Sequence, residues 1–193
     1  LELPKLSKEA GFPDGVINVL TGKGDELGVE LAKHPGIDMI SLTGNTETGK
    51  QIMRLAADNL KKVHLELGGK APFIVFDDAN IETAANSALV ASIVNSGQDC
   101  TAAARIYLNE KIYKEFTRKL IKEAKKVKVG NSLDKNTDLG PLNSQQHFNK
   151  VNSFLQQAKK EGKIIYSGGN PKGWFMPVHI IEGINHKSNL CQQ

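Results

Sequence analysis

The chain has 193 residues, 39% hydrophobic and 24% charged, with a formal net charge of +4. That balance is ordinary for a soluble globular protein and fits one domain, or pieces of two. No apolar run approaches the ~20 residues a membrane span needs, and no stripe of Lys/Arg interleaved with aromatics marks a nucleic-acid surface.

The Lys-rich patches at 122–128 and 159–163 fall on expected helix faces and read as solvated surface. No signal peptide or lipidation motif is visible. With only Cys100 and Cys191 a disulfide framework is not expected, and the default compartment is a reducing cytoplasm. The first residues read as a helix in progress and Cys191-Gln192-Gln193 carries no stop signal, which suggests a piece of a longer protein.

Residues 2–10 read as the last turns of a helix closed by Gly11. Pro13-Asp14-Gly15 is a turn, and Val16–Leu20 is expected as a short strand. A helix spans about Asp25 to Lys33 and is broken by Pro35-Gly36. Ile37–Leu42 is nearly continuous apolar, as in a strand covered on both faces. Thr43–Gly49 is a polar glycine loop opening a helix in which Ile52, Leu55, Ala56 and Leu60 recur at helical spacing. Val63–Leu67 and Pro72–Phe76 are strands, and Asp77–Asn80 supplies turn and cap chemistry for a helix from about Ile81 to Val94.

After Cys100, Ile106–Leu108 is a strand. Two amphipathic helices follow, one burying Ile112, Phe116, Leu120, Ala124 and Val127, the other Phe148, Val151, Leu155 and Ala158. Lys163–Ser167 and Phe175–Ile181 are the last strands expected. The alternation of strand and helix predicts an α/β fold with a doubly wound parallel sheet.

Two stretches carry chemistry. Val63–Leu67 bears one carboxylate, Glu66, and stops at Gly68-Gly69, a turn that can leave the acid facing a cleft. Gly97-Gln98-Asp99-Cys100 places a thiol after a polar turn. A free cysteine is most often a small buried apolar residue. Its position between elements, with a lone acid at another strand end, makes Cys100 a candidate nucleophile and Glu66 its base. A reactive thiol needs its thiolate stabilised, which nearby backbone N–H groups can do. Leu65 and Leu67 predict partial burial of Glu66, which suits a general base.

The loop Gly44-Asn45-Thr46-Glu47-Thr48-Gly49 lies where a strand hands over to a helix, a place for an anion or simply a turn. Gly44 to Lys50 matches P-loop spacing, but Gln51 stands where a Mg²⁺-holding Ser or Thr is needed and Glu47 would repel phosphate, so a kinase or ATPase is rejected. No Gly-x-Gly-x-x-Gly fingerprint occurs; Gly22-Lys23-Gly24 with Gly28 is a loose fit. The five histidines show no metal-ligand spacing, so no metal is expected, and His64 reads as packing or as an outward-facing residue. Cys191 reads as incidental.

These residues resemble the aldehyde dehydrogenase superfamily. Leu65-Glu66-Leu67-Gly68-Gly69-Lys70 is similar to its general-base motif, Gly97-Gln98-Asp99-Cys100 to its nucleophile motif, and Ser41-Leu42-Thr43-Gly44 through Gly49 to its coenzyme loop. Ala10–Val19 and Leu139-Gly140-Pro141-Leu142 also look like family landmarks, and the likeness runs over the whole chain. It implies less than half of a typical member: residues 1–68 as the end of the coenzyme-binding domain and 69–193 as the start of the catalytic domain. It further implies an NAD cofactor (NADP being possible) contacted by Gly28, Gly44, Asn45, Thr48, Gly49 and Leu67, a small aldehyde substrate, and a homo-oligomer in the full-length protein.

By the same resemblance, the Cys100 thiolate attacks the aldehyde, hydride passes to the nicotinamide, and Glu66 activates water to release the acid from the thioester. The Cys100 N–H would help form the oxyanion hole. Acylating relatives that use coenzyme A lack the glutamate, so the hydrolytic branch is implied, with residues 98–103 most like aminoaldehyde and betaine aldehyde members. Asn45 departs from the usual serine. The family's oxyanion-hole asparagine and adenosine-ribose lysine would lie before Leu1, and its nicotinamide-ribose glutamate just past Gln193. The expectation is therefore little turnover by this polypeptide alone, and self-association through unpaired sheet edges and apolar surface, or a need for the absent segments. The competing expectation is a non-catalytic split or degenerate product that acts as a binding or assembly partner; a nucleotide-binding α/β protein unrelated to aldehydes is a third.

Overall fold

A computed structural model describes residues 1–192. The chain divides into two compact units, Leu1–Leu67 and the part from Gly68 onward.

In the first unit, α1 (Glu2–Glu9) ends where Gly11 takes φ +87°, a left-handed conformation that glycine adopts without a Cβ penalty. The Gly11 N–H then reaches the Lys8 carbonyl at 3.0 Å and the Phe12 N–H the Ser7 carbonyl at 3.1 Å. Helix α2 (Gly24–Lys33) buries Ala32. Its last carbonyls are satisfied from the far side of the unit: the Lys61 ammonium, 8% exposed, donates to Leu31 and His34 at 3.3 and 2.8 Å. Strand β1 (Met39–Gly44), helix α3 (Thr46–Ala56) and strand β2 (Lys62–Leu67) form a β-α-β unit, with β1 and β2 parallel and in register from Met39↔Lys62 to Gly44↔Leu67.

Alternation decides the two faces of this ladder. Ile40, Leu42, Val63, Leu65 and Leu67 are the more covered residues, and Met39, Ser41, Thr43, Lys62, His64 and Glu66 are exposed. Helix α3 lies on the apolar face, so close that a Cβ on Gly49 would stand 2.9 Å from the Leu67 side chain.

Three expectations for this unit are corrected. Val16–Leu20 is not a strand: Val16 and Leu20 are exposed, and a strand needs a neighbour to take its backbone groups. β1 starts at Met39 and is covered on one face only, so its apolar run overstated its burial. Leu60 does not continue α3; it sits beyond the helix at φ 55°, 89% exposed.

The second unit runs β3 (Pro72–Val75), α4 (Ile81–Ile93), β4 (Arg105–Leu108), α5 (Tyr113–Ala124), α6 (Gln145–Glu161), β5 (Lys163–Ser167), β6 (His179–Glu182) and α7 (Asn189–Gln192). Asn80 caps α4 by accepting from the Thr83 N–H at 3.0 Å, and Ser144 caps α6 through the His147 N–H. β3 and β4 are parallel. β5 and β6 are antiparallel, with an irregularity between Ile164 and Tyr166.

One core joins Val75, Ala85, Ala88, Leu89, Ile112, Phe116, Leu120 and Ala124. Phe116, fully buried, is its largest side chain. Tyr166 from β5 donates to the Ala124 carbonyl at 3.1 Å, and Tyr113 from α5 donates to the Glu182 carboxylate on β6.

The α/β class is as read from the sequence, with both crossover-linked pairs parallel. The described ladders are each two-stranded and the last is antiparallel, with β6 beginning at His179 rather than at Phe175. Val127 lies just beyond α5, packed against the core.

Candidate active site

Cys100 is exposed. Its loop begins where α4 ends, and the backbone then passes through three left-handed residues, Asn95 at φ 51°, Ser96 at φ 60° and Gly97 at φ 72°. Such conformations are uncommon outside glycine and persist only where neighbours fix them. The fixing bonds are reciprocal: Asn95 Nδ2 donates to the Gln98 carbonyl at 3.1 Å and Gln98 Nε2 to the Asn95 carbonyl at 3.2 Å. Gln98 Oε1 also accepts the Asn143 N–H at 3.0 Å.

Asp99 closes the other side. One carboxylate oxygen accepts both the Thr101 N–H and the Thr101 hydroxyl at 2.7 Å, and these two bonds hold its carboxyl below the usual carboxylate range. The Ala103 N–H ties the loop back to the Ala91 carbonyl of α4 at 3.0 Å.

Two glycines make room for this loop. A Cβ on Gly69 would lie 3.1 Å from the Cys100 carbonyl oxygen. One on Gly140 would meet Ser132 Oγ at 2.9 Å and Ser96 Oγ at 3.4 Å. The stretch Leu139–Leu142 thus backs the thiol loop, its two leucines buried.

Glu66 lies on β2, opposite Thr43 in register. Its side chain is 62% exposed, so the expected partial burial is corrected: Leu65 and Leu67 point to the face that α3 covers, and Glu66 to the other. Its neighbour is His64, whose Nε2 stands 3.4 Å from Glu66 Oε1. Glu66 belongs to the first unit and Cys100 to the second.

The expected glycine loop from Gly44 to Gly49 is shorter than read. Gly44 ends β1, Asn45 is the single linking residue, and Thr46 through Gly49 already belong to α3. Asn45 Oδ1 caps the helix by accepting from the Thr48 N–H at 2.9 Å and the Thr48 hydroxyl at 3.2 Å. Gly49 donates to the Asn45 carbonyl at 3.0 Å. These bonds leave the first-turn N–H groups of Thr46 and Glu47, with the Asn45 Nδ2 group, as donors at the positive end of α3.

Glu47 pairs with Lys50 at 2.8 Å, which lowers its carboxyl and turns its charge along the helix. A strand end feeding a helix N-terminus with bare amides suits a diphosphate, so the residues present fit a dinucleotide. Gly49 and Leu67 meet in the packing of α3 on β2. Gly28 is inside α2, with open space where its Cβ would be.

Elsewhere in the second unit a groove of about 470 Å³ is lined by Lys70, Arg105, Tyr107, His186 and Cys191 among others. Burial pushes the Lys70 ammonium below its ordinary range. Among the described residues no His/Cys/Asp/Glu group could hold a metal ion, and no helix is long and apolar enough to cross a membrane.

Sequence reasoning gave Ser41 no role beyond the coenzyme-loop motif and missed Asn143. Ser41 is found from the β1–β2 register, which sets it against His64; nothing in the sequence pairs Asn143 with Gln98.

The chain matches the aldehyde dehydrogenase family over residues 1–193. It is 42% identical to an aminoaldehyde dehydrogenase of Arabidopsis thaliana and 42% identical to betaine aldehyde dehydrogenase 1 of Oryza sativa subsp. japonica, each over the whole chain and over 40% and 39% of the relative. A crystal structure of betaine aldehyde dehydrogenase from Staphylococcus aureus in complex with NAD⁺ superimposes with a TM-score of 0.94 at 38% identity, covering 100% of this chain and 40% of that one. The chain therefore spans about two-fifths of the length of these relatives. On its motifs, its fold and a match that leaves no part of it uncovered, this chain belongs to the aldehyde dehydrogenase family.

Proposed function

We propose that this chain supplies the nucleophile and the hydrolytic base of an NAD(P)⁺-dependent aldehyde dehydrogenase, with Cys100 and Glu66 in those roles. The observation that carries the reading is the Cys100 loop: an exposed thiol on a backbone held in a left-handed turn by paired Asn95–Gln98 bonds. Such conformations concentrate at functional sites because an unstrained loop costs less.

In this reading the Cys100 thiolate forms a bond to the aldehyde carbon, and the Cys100 N–H stabilises the oxygen that becomes negative. The bound coenzyme supplies the acceptor for the hydride that leaves this carbon. Glu66 then takes a proton from water, whose oxygen attacks the thioester carbonyl; the C–S bond breaks, the carboxylic acid is freed, Cys100 leaves as the thiolate, and Glu66 gives its proton up to solvent. Gly44, Asn45 and the first turn of α3, with Thr48 and Gly49, seat the coenzyme diphosphate. Gly28 and Leu67 complete the coenzyme side, NAD being favoured and NADP possible.

The first unit serves as the end of the coenzyme-binding domain and the second as the start of the catalytic domain. The substrate is an aminoaldehyde or a betaine-type aldehyde, by likeness to the relatives named above. The reading extends to a cytoplasmic homo-oligomer in the full-length protein.

Thiol labelling tests the assignment. As the nucleophile, Cys100 should react with iodoacetamide at neutral pH at least about tenfold faster than a free cysteine peptide. Cys100→Ala should remove that fast phase. A peptide-like rate would instead support the non-catalytic reading, in which the fold survives as a binding or assembly partner. NAD⁺ reduction by this polypeptide alone should stay below about one-tenth of the ~10 s⁻¹ typical of enzymes. Faster turnover with any aldehyde of a panel would overturn the expectation that further site residues are needed.

A further inference from the structure

The exposed face of the β1–β2 ladder carries a chain of three polar side chains. Ser41 and His64 are register partners, and Ser41 Oγ lies 3.0 Å from His64 Nδ1. His64 Nε2 lies 3.4 Å from Glu66 Oε1, two residues along the same strand face. A carboxylate only accepts, so Nε2 must carry the proton for this contact to be favourable, and Nδ1 then accepts from the Ser41 hydroxyl. Both partners thus select one tautomer and one ring orientation. Lys62, Thr43 and Met39 are the other residues of this face, and Lys62 is the only other charge on it.

We propose that His64 is a positioning residue for Glu66, with Ser41 fixing the ring. It rests on the reading of Glu66 as the hydrolytic base. The ring stands against Oε1 at 3.4 Å, on a side chain that is 62% exposed. An exposed glutamate without such a contact spreads over its rotamers, and few of them present an oxygen along one line of approach. Holding a reacting group in the productive orientation is worth a large factor, since a misplacement of about 1 Å can cost ~100-fold. Ser41 and His64 act through Glu66 and touch no reacting atom.

The test uses the 193-residue chain in two arms. In the first, ¹⁵N-resolved NMR reads the neutral His64 ring at alkaline pH. The Nε2–H tautomer should dominate in the native chain, and Ser41→Ala and Glu66→Gln should each shift the ring nitrogen signals. Signals identical in all three proteins would overturn the contact. In the second, Cys100 is acylated with 4-nitrophenyl acetate, and loss of the acetyl group is followed by mass.

His64→Val should slow that loss about tenfold or more, while His64→Gln, which keeps a donor where Nε2 stood, should stay within about threefold of native. If Glu66→Gln slows the loss and His64→Val does not, the positioning role fails while Glu66 stands as the base. If Glu66→Gln has no effect, the base assignment fails, and the role of His64 with it.

Discussion

The two units solve the same packing problem with different means. In the first, a β-α-β ladder offers one apolar face to α3, and the buried apolar side chains are few: Ala32, Ile52 and Ala56. In the second, a continuous core built on Phe116, Leu89, Leu120 and Ile112 ties strands to helices. The first leaves Leu3, Leu6, Phe12, Val16 and Leu20 exposed, and α1 buries nothing at all. A unit of that size with so little buried area is marginal by itself. The difference teaches where the packing resides: the candidate nucleophile is mounted on the well-packed unit, and the candidate base and candidate coenzyme site on the thin one.

The sharpest way to break that contrast is the core of the second unit. Phe116→Ala should cost about 3–5 kcal/mol, enough to lower the urea midpoint of the second unit sharply while the near-neighbours of β1 keep their NMR shifts. If both units melt together, the contrast is wrong. Next in size is Gly49→Val in the first unit. A side chain there meets Leu67 at under 3 Å, and the overpacking should cost about 1–3 kcal/mol and loosen α3 from β2, read by faster amide exchange in β2.

The smallest effects compare like with like. Asn45→Ala and Asn80→Ala each remove one cap and should each cost about 1 kcal/mol. Because the caps are local, their equality would show that the units differ in packing alone. A qualitative companion is Tyr113→Phe. The Tyr113 hydroxyl holds the Glu182 carboxyl below its ordinary range, so this bond stabilises the fold above the unfolded carboxylate range and is lost as pH falls through the depressed folded value. The variant should therefore lose stability at neutral pH and show a flatter acid limb in pH-dependent unfolding.

Local chemistry was legible in the sequence. The Asn80 cap, the turn at Gly11, the two amphipathic helices and the loop at Cys100 all follow from residues close together in the chain. Non-local facts were not. Val16–Leu20 has strand-like residues, but a strand is a statement about a partner. Burial of Glu66 was read from its neighbours, when period-2 alternation sends neighbours to the opposite face. The stretch Gly44–Gly49 read as a loop because its glycines suggest freedom. Gly49 is instead a flat spot on a helix pressed against Leu67. Ser41 and His64 became visible only once the parallel register set them side by side.

Gly69 leaves the Cys100 carbonyl no slack, since any side chain at that position would push on it at 3.1 Å. The sulfur is therefore gauged from the doorstep of its own unit, just after Gly68, as well as from the helix that precedes it. A side chain introduced at Gly69 should be felt as altered thiol reactivity before it shows as unfolding, which makes Cys100 a built-in strain gauge for that position.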